Sequence, residues 1–483
     1  MSDPRTSSLW KTQSYVDGTW TTGGDTFEVS DPGTGEVIAE FQGGDGELAL
    51  SAVDAAERAS ASWRATSALE RANLLLRWAD AMAEREEELA RILTLEHGKP
   101  LSEAAGEIRY AATFVRWFAE EARRSYGETI PSASDRRLIV VREPIGIGAG
   151  ITPWNFPSAM ITRKLAPALA AGCTFVLKPA EATPFSALAL AALTEEVGLP
   201  KGVFNVVAGP NPGAIAGVWV DDMRVRKLSF TGSTEVGKEL YTACAPTMKR
   251  VSLELGGNAP FIVFDDADLD AAVDGAMKAK FRNGGQSCVA ANRILVQEGV
   301  HAEFIDRLRA RIAELVVGNG FDEDSTIGPL INERALASVH ELVDRAQNAG
   351  AEALVGGCRV DRPGSFYQPS LIVGVEGHME LASDEVFGPV ASVMKFKDDD
   401  EAIALANATS YGLASYFYAR DVGRIWRVAA ALDFGMVGIN TGLMSTTEAP
   451  FGGIKMSGLG REGSRHGLEE WTRLKYIAMA GLD

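Results

Sequence analysis

Cysteine is scarce in this sequence, which has only four in 483 residues: Cys173, Cys244, Cys288 and Cys358. No two of them have CxxC spacing, so the sequence contains neither a zinc ribbon nor a thioredoxin-like motif. Four thiols in a chain of this length make no disulfide framework, and we therefore predict a cytoplasmic protein in a reducing compartment. No HExxH motif occurs, and we expect no metal site.

Net positive charge and long apolar segments are also missing. The formal net charge is −18, which argues against a broad binding face for nucleic acid or for an anionic membrane surface. The two longest uncharged runs, 144–162 and 202–220, are interrupted by prolines and glycines and cannot form continuous membrane helices. We expect neither a nucleic-acid nor a membrane partner. A small anionic substrate stays compatible with this charge, because a pocket can carry local cations.

The N-terminal part of the chain shows strand patterns and then helical ones. Residues 14–42 carry turn signals between short strands, and residues 47–124 are predicted to be helical. Apolar residues from Leu74 to Leu95 recur at helical intervals and predict a helix that ends at Gly98, a residue suited to a left-handed C-cap. Residues 125–143 then return to a strand pattern.

From residue 144 onward, apolar runs alternate with helical segments, which predicts an α/β fold with mainly parallel strands and right-handed crossovers. A second α/β series starts near Val251. At about 150 residues per domain, the length predicts about three domains. We expect strands at 148–151, 174–177, 203–207, 227–230, 261–264, 293–297, 391–396, 414–418 and 436–439, and helices at 184–197, 212–219, 268–280, 300–317, 332–349, 399–407 and 421–432.

Two segments that follow strands are candidates for dinucleotide binding. The segment 230–238 opens an amphipathic helix whose free N–H groups could face an anion, although an ordinary capped turn is the alternative. Lys178 and Glu181 end a strand, at the edge where open α/β sheets bind ligands. A carboxylate there could accept hydrogen bonds from ribose hydroxyls and would repel a 2′-phosphate. The alternative is a surface pair beside a helix start.

Cys288 differs from the other cysteines because a glycine-rich segment precedes it, leaving N–H groups free to bind an oxyanion. A lone cysteine is more often a small buried apolar residue, and we interpret the other three in that way. Glu254 lies between two leucines, a setting that could raise the pKa of a carboxyl group toward that of a general base. An edge-strand carboxylate is the alternative for Glu254.

Seven short segments carry a pattern that extends beyond these candidates. They are TPWNFP at 152–157, KPAE at 178–181, FTGS at 230–233, LELGG at 253–257, GQSC at 285–288, EVFGP at 385–389 and PFGG at 450–453. In this order and spacing they resemble the aldehyde dehydrogenase superfamily, and the likeness extends from about residue 12 to 480.

The resemblance implies an aldehyde dehydrogenase-like α/β fold with two open α/β domains: a Rossmann-like NAD-binding domain (1–124 and 144–253) and a catalytic domain (254–455). A small β oligomerisation element (125–143 and 470–483) would join subunits into a homodimer or homotetramer.

The resemblance also implies roles for individual residues. Cys288 would attack the aldehyde carbonyl, Asn155 and the backbone N–H of Cys288 would bind the oxyanion, and Glu254 would activate water to hydrolyse the thioester. NAD is the preferred cofactor because of Glu181, with NADP as the second choice. The residues implied in cofactor binding are Thr152, Pro153, Trp154, Lys178, Glu181, Gly232, Ser233, Val236, Glu385 and Phe387.

Among subfamilies, the sequence most resembles succinate-semialdehyde dehydrogenases, which implies a small aldehyde substrate with a remote carboxylate. Arg163 and Arg282 match the arginines that hold this carboxylate, and Ser445 matches a hydroxyl contact. Pairing of either arginine with a structural carboxylate is the alternative. Glutarate semialdehyde and a catalytically silent binding or structural protein are the rival functions. Ala290 occupies the place of a second cysteine found in some relatives, so we expect no disulfide switch at Cys288.

Overall fold

The N-terminal region of the computed structural model, which describes residues 3–133 and 135–481, consists of short strands followed by long helices. The helix Glu86–His97 ends at Gly98, whose φ of 85° gives the predicted left-handed cap. The structure has two helices where the apolar pattern predicted one, because the backbone of Arg85 is not helical and the acidic residues after it favour a new helix N-terminus. These elements are β1 (Ser14–Val16), β2 (Thr19–Thr21), β3 (Thr26–Ser30), β4 (Val37–Gln42), α1 (Gly46–Ala65), α2 (Ala68–Glu84), α3 (Glu86–His97) and α4 (Leu101–Glu121).

The middle of the chain alternates strands and helices, as the sequence predicted. Its elements are β5 (Glu128–Ile130), β6 (Arg136–Pro144), β7 (Ile147–Ile151), α5 (Pro157–Ala171), β8 (Thr174–Lys178), α6 (Pro184–Glu196), β9 (Phe204–Val206), α7 (Pro212–Asp221), β10 (Val225–Thr231), α8 (Thr234–Cys244) and β11 (Arg250–Glu254).

The C-terminal half repeats this alternation and ends in a long strand. Its elements are β12 (Ala259–Val263), α9 (Leu269–Phe281), β13 (Ala291–Gln297), α10 (His301–Ala313), α11 (Glu333–Asn348), β14 (Glu352–Val355), β15 (Ser370–Val373), α12 (Glu380–Ser383), β16 (Val390–Phe396), α13 (Asp399–Asn407), β17 (Ala414–Tyr418), α14 (Val422–Ala431), β18 (Met436–Ile439), β19 (Gly458–Leu459), α15 (Ser464–Glu469) and β20 (Thr472–Ala480). Short 3₁₀ helices cover Pro4–Thr6, Ala122–Arg124, Ala245–Thr247, Arg282–Gly285 and Lys455–Ser457.

The first large sheet has eight strands in the order β19-β11-β10-β7-β8-β9-β1-β2. The five strands from β11 to β9 in this order are parallel, and antiparallel strands close both edges. The chain passes from β7 to β8 on one side and later reaches β10 on the other side. The carboxyl ends of β7 and β10 therefore flank a topological switch point, where open α/β sheets bind ligands.

The second large sheet has seven strands in the order β14-β15-β16-β13-β12-β17-β18, and β14 alone is antiparallel to its neighbour. Strands β14 and β15 were not predicted, whereas β18, which also has four residues, was predicted at its observed bounds. The two large sheets adjoin in sequence between β11 and β12. The precise domain limits given above remain a prediction.

A third sheet joins the last strand to the segment before β7. Strand β20 pairs antiparallel with β6 over nine residue pairs, from Thr472 opposite Pro144 to Ala480 opposite Arg136, and β5 pairs with the other edge of β6. The segments that the sequence grouped into one β element thus pair with each other within the chain. In the described part of the chain, no helix is long and apolar enough to cross a membrane.

Candidate active site

A cavity of about 230 Å³ lies where the carboxyl ends of the first large sheet meet the amino ends of the second. The first sheet contributes Asn155 from the loop after β7 and Glu254 from the end of β11, whereas Cys288 comes from the loop before β13. The structure therefore brings together all three residues proposed for catalysis. The cavity is lined by Pro153, Trp154, Asn155, Phe156, Met160, Thr231, Gly232, Ser233, Glu254, Leu255, Gly256, Cys288, Glu385 and Phe387.

The loop that carries Cys288 is packed closely against neighbouring backbone. It turns through left-handed conformations at Asn283, Gly284 and Gly285, with φ of 56°, 60° and 75°. A Cβ atom on Gly285 would lie 2.1 Å from the carbonyl oxygen of Gly388, so a side chain there would displace one of the two loops. The glycine-rich sequence before the cysteine thus permits a close approach between two loops of the site.

The Cys288 thiol is partly exposed to this cavity. Burial, reinforced by the charge of Glu385, raises the pKa of Cys288 to about 12, while Arg163 acts in the opposite direction. Because the thiolate is the nucleophile, Cys288 must lose its proton before or during attack.

The side-chain amide of Asn155 is held in a fixed orientation. Its Nδ2 donates a hydrogen bond to the carbonyl oxygen of Gln286 at 3.0 Å, and its Oδ1 accepts one from the backbone N–H of Phe156 at 3.1 Å. A carboxamide has two N–H groups, and only one of them is used here within the described residues. The other can donate to a substrate oxygen in the cavity.

Glu254 is buried, and neither of its carboxyl oxygens has a hydrogen-bond partner among the described residues. Burial, together with the negative charge of Glu462, raises the pKa of Glu254 well above its ordinary value. The cations of Arg163 and Lys164 act in the opposite direction. A carboxyl group with a raised pKa can take up a proton near neutral pH, which is what a general base requires.

The crevice at the switch point carries the proposed cofactor residues that follow β8 and β10. Lys178 is buried, and its Nζ donates to Glu181 Oε2 at 2.7 Å. Ser233 caps the N-terminus of α8 by accepting a hydrogen bond from the N–H of Val236 at 3.4 Å. The hydroxyl of Thr152 is buried without a partner in the described part of the chain, and so can serve a ligand. These groups fit a dinucleotide.

Glu385 and Phe387 lie on the opposite wall of the same cavity. Glu385 Oε1 accepts a hydrogen bond from the N–H of Gly257 at 3.0 Å, and the ring of Phe387 meets Trp154 edge-on at 5.5 Å. Burial raises the pKa of Glu385 to about 7. Buried Lys280, which the sequence analysis did not assign, donates to the carbonyl oxygen of Val386 at 3.1 Å and so supports this loop between its two functional residues.

The two arginines proposed for the substrate have different surroundings. Arg163 on α5 is buried, its Nε lies 3.1 Å from Glu462 Oε2, and its guanidinium lies 3.9 Å from the centre of the Phe451 ring. Arg282 makes no ion pair within the described residues and borders a narrow pocket together with Ser445. The structure therefore groups Arg282 with Ser445, and places Arg163 against a carboxylate, the alternative that the sequence left open.

Sequence reasoning did not assign a role to several residues that support the site. Glu462 lies about 300 positions from Arg163 in the chain, and nothing local indicated their contact. Gln286 was visible inside the GQSC motif, but its main-chain carbonyl, which binds Asn155, carries no sequence signal. Lys99 and Glu107, which form a buried ion pair beside Asn155, also had no recognisable pattern.

Comparison with known proteins identifies the family. A sequence profile of the aldehyde dehydrogenase family matches residues 20–477. The chain is 54% identical over 479 residues to a glutarate-semialdehyde dehydrogenase of Pseudomonas aeruginosa, covering 99% of both chains. It is 52% identical over 476 residues to the NADP(+) succinate-semialdehyde dehydrogenase of Escherichia coli, covering 98% of each. A crystal structure of a succinate-semialdehyde dehydrogenase from Burkholderia pseudomallei has a TM-score of 0.97 at 52% identity and covers 98% of each chain.

These matches confirm the predicted fold class and the predicted type of enzyme. They span nearly the whole chain, including all seven motifs, which lie between residues 152 and 453. The chain therefore belongs to the aldehyde dehydrogenase family.

Proposed function

We propose that this enzyme oxidises succinate semialdehyde to succinate, with NAD as the preferred cofactor. The observation that carries this proposal is the Arg282 guanidinium, which precedes Cys288 by six positions, forms no ion pair within the described residues and borders the pocket that contains Ser445. A guanidinium of this kind can bind the remote carboxylate of the substrate through paired hydrogen bonds. Two of the relatives are named for semialdehydes of this chemical class.

Each catalytic candidate would act through a defined group. Cys288 Sγ gives its proton to Glu254, the base of the same cavity, which releases it to solvent, and attacks the aldehyde carbon, so that the carbonyl oxygen becomes an oxyanion. Asn155 Nδ2 and the backbone N–H of Cys288 donate to that oxygen. When bound, the nicotinamide dinucleotide supplies a hydride acceptor. Cys288 then holds the acyl group as a thioester, and Glu254 removes a proton from the water that hydrolyses it.

The cofactor preference rests on the carboxylate of Glu181. Its side chain is 52% exposed at the end of β8, so a 2′-phosphate placed near it would meet a negative charge. We expect a higher kcat/KM with NAD than with NADP, and we expect Glu181→Gln to raise the NADP-to-NAD ratio about tenfold. The control is Glu239→Gln, which removes an exposed carboxylate on α8. A wild-type preference for NADP would contradict this assignment.

The substrate assignment is tested by kcat/KM for succinate semialdehyde, glutarate semialdehyde and butanal with each cofactor. Glutarate semialdehyde is the second candidate, because the Pseudomonas aeruginosa relative is named for it. One methylene separates the two acids, and such a difference is worth about 1–3 kcal/mol in a binding site. We expect kcat/KM to be higher for succinate semialdehyde than for glutarate semialdehyde or butanal. Equal values for butanal would refute a carboxylate-binding site, and no turnover of any aldehyde would favour the catalytically silent alternative.

We also propose that the chain forms a homodimer or homotetramer through its three-stranded sheet. Support comes from β20, an edge strand with exposed apolar side chains on both faces of the sheet: Leu474 and Tyr476 on one face, and Ile477 and Met479 on the other. Exposed apolar side chains on an edge strand are typical of a surface that another chain covers. Sedimentation of the protein with and without charged substitutions at these four residues tests the proposal. The cytoplasmic location stays a prediction.

A further inference from the structure

A buried ion pair lies directly behind Asn155. Lys99, between α3 and α4, is 2% exposed, and its Nζ lies 2.6 Å from Glu107 Oε2 on α4. The same Nζ donates to the carbonyl oxygen of Asn155 at 2.8 Å and lies 4.4 Å from the centre of the Phe156 ring. A lysine is rarely buried to this degree unless its charge is paired and its N–H groups are used.

Glu107 connects this pair to the start of helix α5. Its second oxygen, Oε1, accepts hydrogen bonds from the backbone N–H groups of Ser158 at 2.9 Å and Ala159 at 3.3 Å. These are groups that the first turn of a helix leaves without an intrahelical partner. The pair therefore holds the backbone at both ends of the segment 155–159, by a donor at one end and an acceptor at the other.

The cysteine loop is attached to the same point. The side chain of Asn283 donates to the carbonyl oxygen of Asn155 at 2.9 Å, and the backbone N–H of Asn283 is held at 3.0 Å by Glu103, which lies on α4 like Glu107. The carbonyl oxygen of Asn155 thus accepts from Lys99 and from the cysteine loop together. Helix α4 is the common base for both loops.

We propose that Lys99 and Glu107 are positioning residues that fix the direction of the Asn155 carboxamide toward the carbonyl oxygen of a substrate bound at Cys288. This inference rests on the proposed oxyanion-binding role of Asn155. Neither residue lines the cavity, so they act through the backbone of Asn155. Every aldehyde forms the same oxyanion, and the effect of losing either residue is independent of the substrate's remote end.

The first test is Lys99→Met, which keeps the length of the side chain and removes its donors. We expect kcat to fall about 30-fold, somewhat less than for loss of an oxyanion-hole donor itself, with KM changed less than about threefold. The loss has the same size for succinate semialdehyde and butanal. Lys227→Met is the matched control. Lys227 is also buried and lies 3.1 Å from Glu470, but it is far in sequence from the loops that carry Asn155 and Cys288. We expect this control variant to be less stable without the 30-fold fall in kcat.

The decisive measurement repeats the substitution in an Asn155→Ala protein. If Lys99 acts through Asn155, Lys99→Met lowers kcat there by less than about threefold, because residues that act as a unit are not additive. If the fold decreases in kcat from Lys99→Met and Asn155→Ala multiply in the double variant, the positioning proposal is wrong, while the role of Asn155 is unaffected. If Asn155→Ala alone keeps full kcat, both the role of Asn155 and the positioning proposal are wrong.

A milder variant keeps the proposal testable if Lys99→Met does not fold. Glu107→Gln retains an oxygen for the N-terminus of α5 but places an amide against the Lys99 ammonium. We expect kcat to fall about fivefold, again with no further loss in Asn155→Ala. An unchanged kcat in a folded Glu107→Gln protein would contradict the role of the pair.

Discussion

The surroundings of Arg163 and of Arg282 differ, although both arginines lie next to catalytic motifs. The Arg163 side chain is 2% exposed, is paired with Glu462 and lies against Phe451. Arg282 forms no ion pair within the described residues: its guanidinium lies 5.2 Å from the centre of the Phe156 ring, and its charge counteracts the burial that raises the pKa of Glu103. Arg163 contributes to the fold through its anion, yet its Nη2 is buried without a hydrogen-bond partner among the described residues, whereas the Arg282 cation has no ion-paired carboxylate there and is available to a ligand. Closeness to a nucleophile is therefore a weaker indication of substrate binding than an unused charge.

The largest expected effect is on stability, from Arg163→Met. This change leaves buried Glu462 with Lys164 as its remaining cation. We expect the free energy of unfolding to fall by about 3 kcal/mol, the lower end for breaking a buried ion pair. The urea midpoint of unfolding measures it. Arg282→Met is the comparison variant and changes stability by less than about 0.5 kcal/mol. Equal midpoints for the two variants would remove the contrast between the two arginines.

The next effect is on substrate choice, from Arg282→Met. Loss of a charge-assisted hydrogen bond costs about 1.5–3 kcal/mol, so kcat/KM for succinate semialdehyde should fall about 30-fold. Oxidation of butanal changes by less than about threefold, since butanal has no carboxylate. Arg309→Met, on the exposed face of α10, controls for the loss of an arginine in general. Equal losses for the two aldehydes would show that Arg282 does not hold the carboxylate.

The pH dependence of kcat distinguishes the arginines in a second way. The Arg163 cation lowers the pKa of Glu254, so Arg163→Met raises it and moves the acidic limb of the profile to higher pH. Glu462→Gln moves this limb to lower pH, because the Glu462 charge raises the same pKa. Arg282→Met leaves the limb in place. Profiles with saturating aldehyde test this, and a shift in the opposite direction would exclude Glu254 as the titrating base.

The smallest effect is expected from Ser445→Ala. A neutral hydroxyl contact is worth about 0.5–1 kcal/mol, so kcat/KM for succinate semialdehyde should fall about threefold and that for butanal should not change. Ser338→Ala, an exposed serine of α11, is the control. In the Arg282→Met background, the loss from Ser445→Ala should shrink, because the carboxylate is no longer held in the shared pocket. Independent losses would place the two residues at different ends of the substrate.

The regular elements could be predicted from the sequence because apolar periodicity is local. Strands β13, β16 and β17 and helix α13 were predicted to within two residues of their ends. The exceptions are of three kinds. Strands β14 and β15 were missed although the equally short β18 was predicted, and helix α5 was not predicted. The break at Arg85 interrupts the predicted helix without a proline or glycine to indicate it.

Of the candidate site, only the residues that stand in recognisable motifs could be predicted from the sequence. The cavity brings together Cys288, Glu254 and Asn155, which stand in three separate motifs. Their supporting contacts run between distant segments and often use main-chain atoms, as in the bond from Lys99 to the carbonyl oxygen of Asn155. Every residue has a backbone carbonyl, so the sequence does not indicate which of them accepts such a hydrogen bond. These contacts are visible only in the three-dimensional structure.

The contact of Gly285 with Gly388 has a consequence for protein engineering. With 2.1 Å between a Cβ on Gly285 and the Gly388 oxygen, no side chain separates the nucleophile loop from the loop that carries Glu385 and Phe387. Neither loop can be transplanted from a relative without matching the path of the other. In designing altered enzymes, the two loops are therefore best replaced together, even though about a hundred residues separate them in the chain.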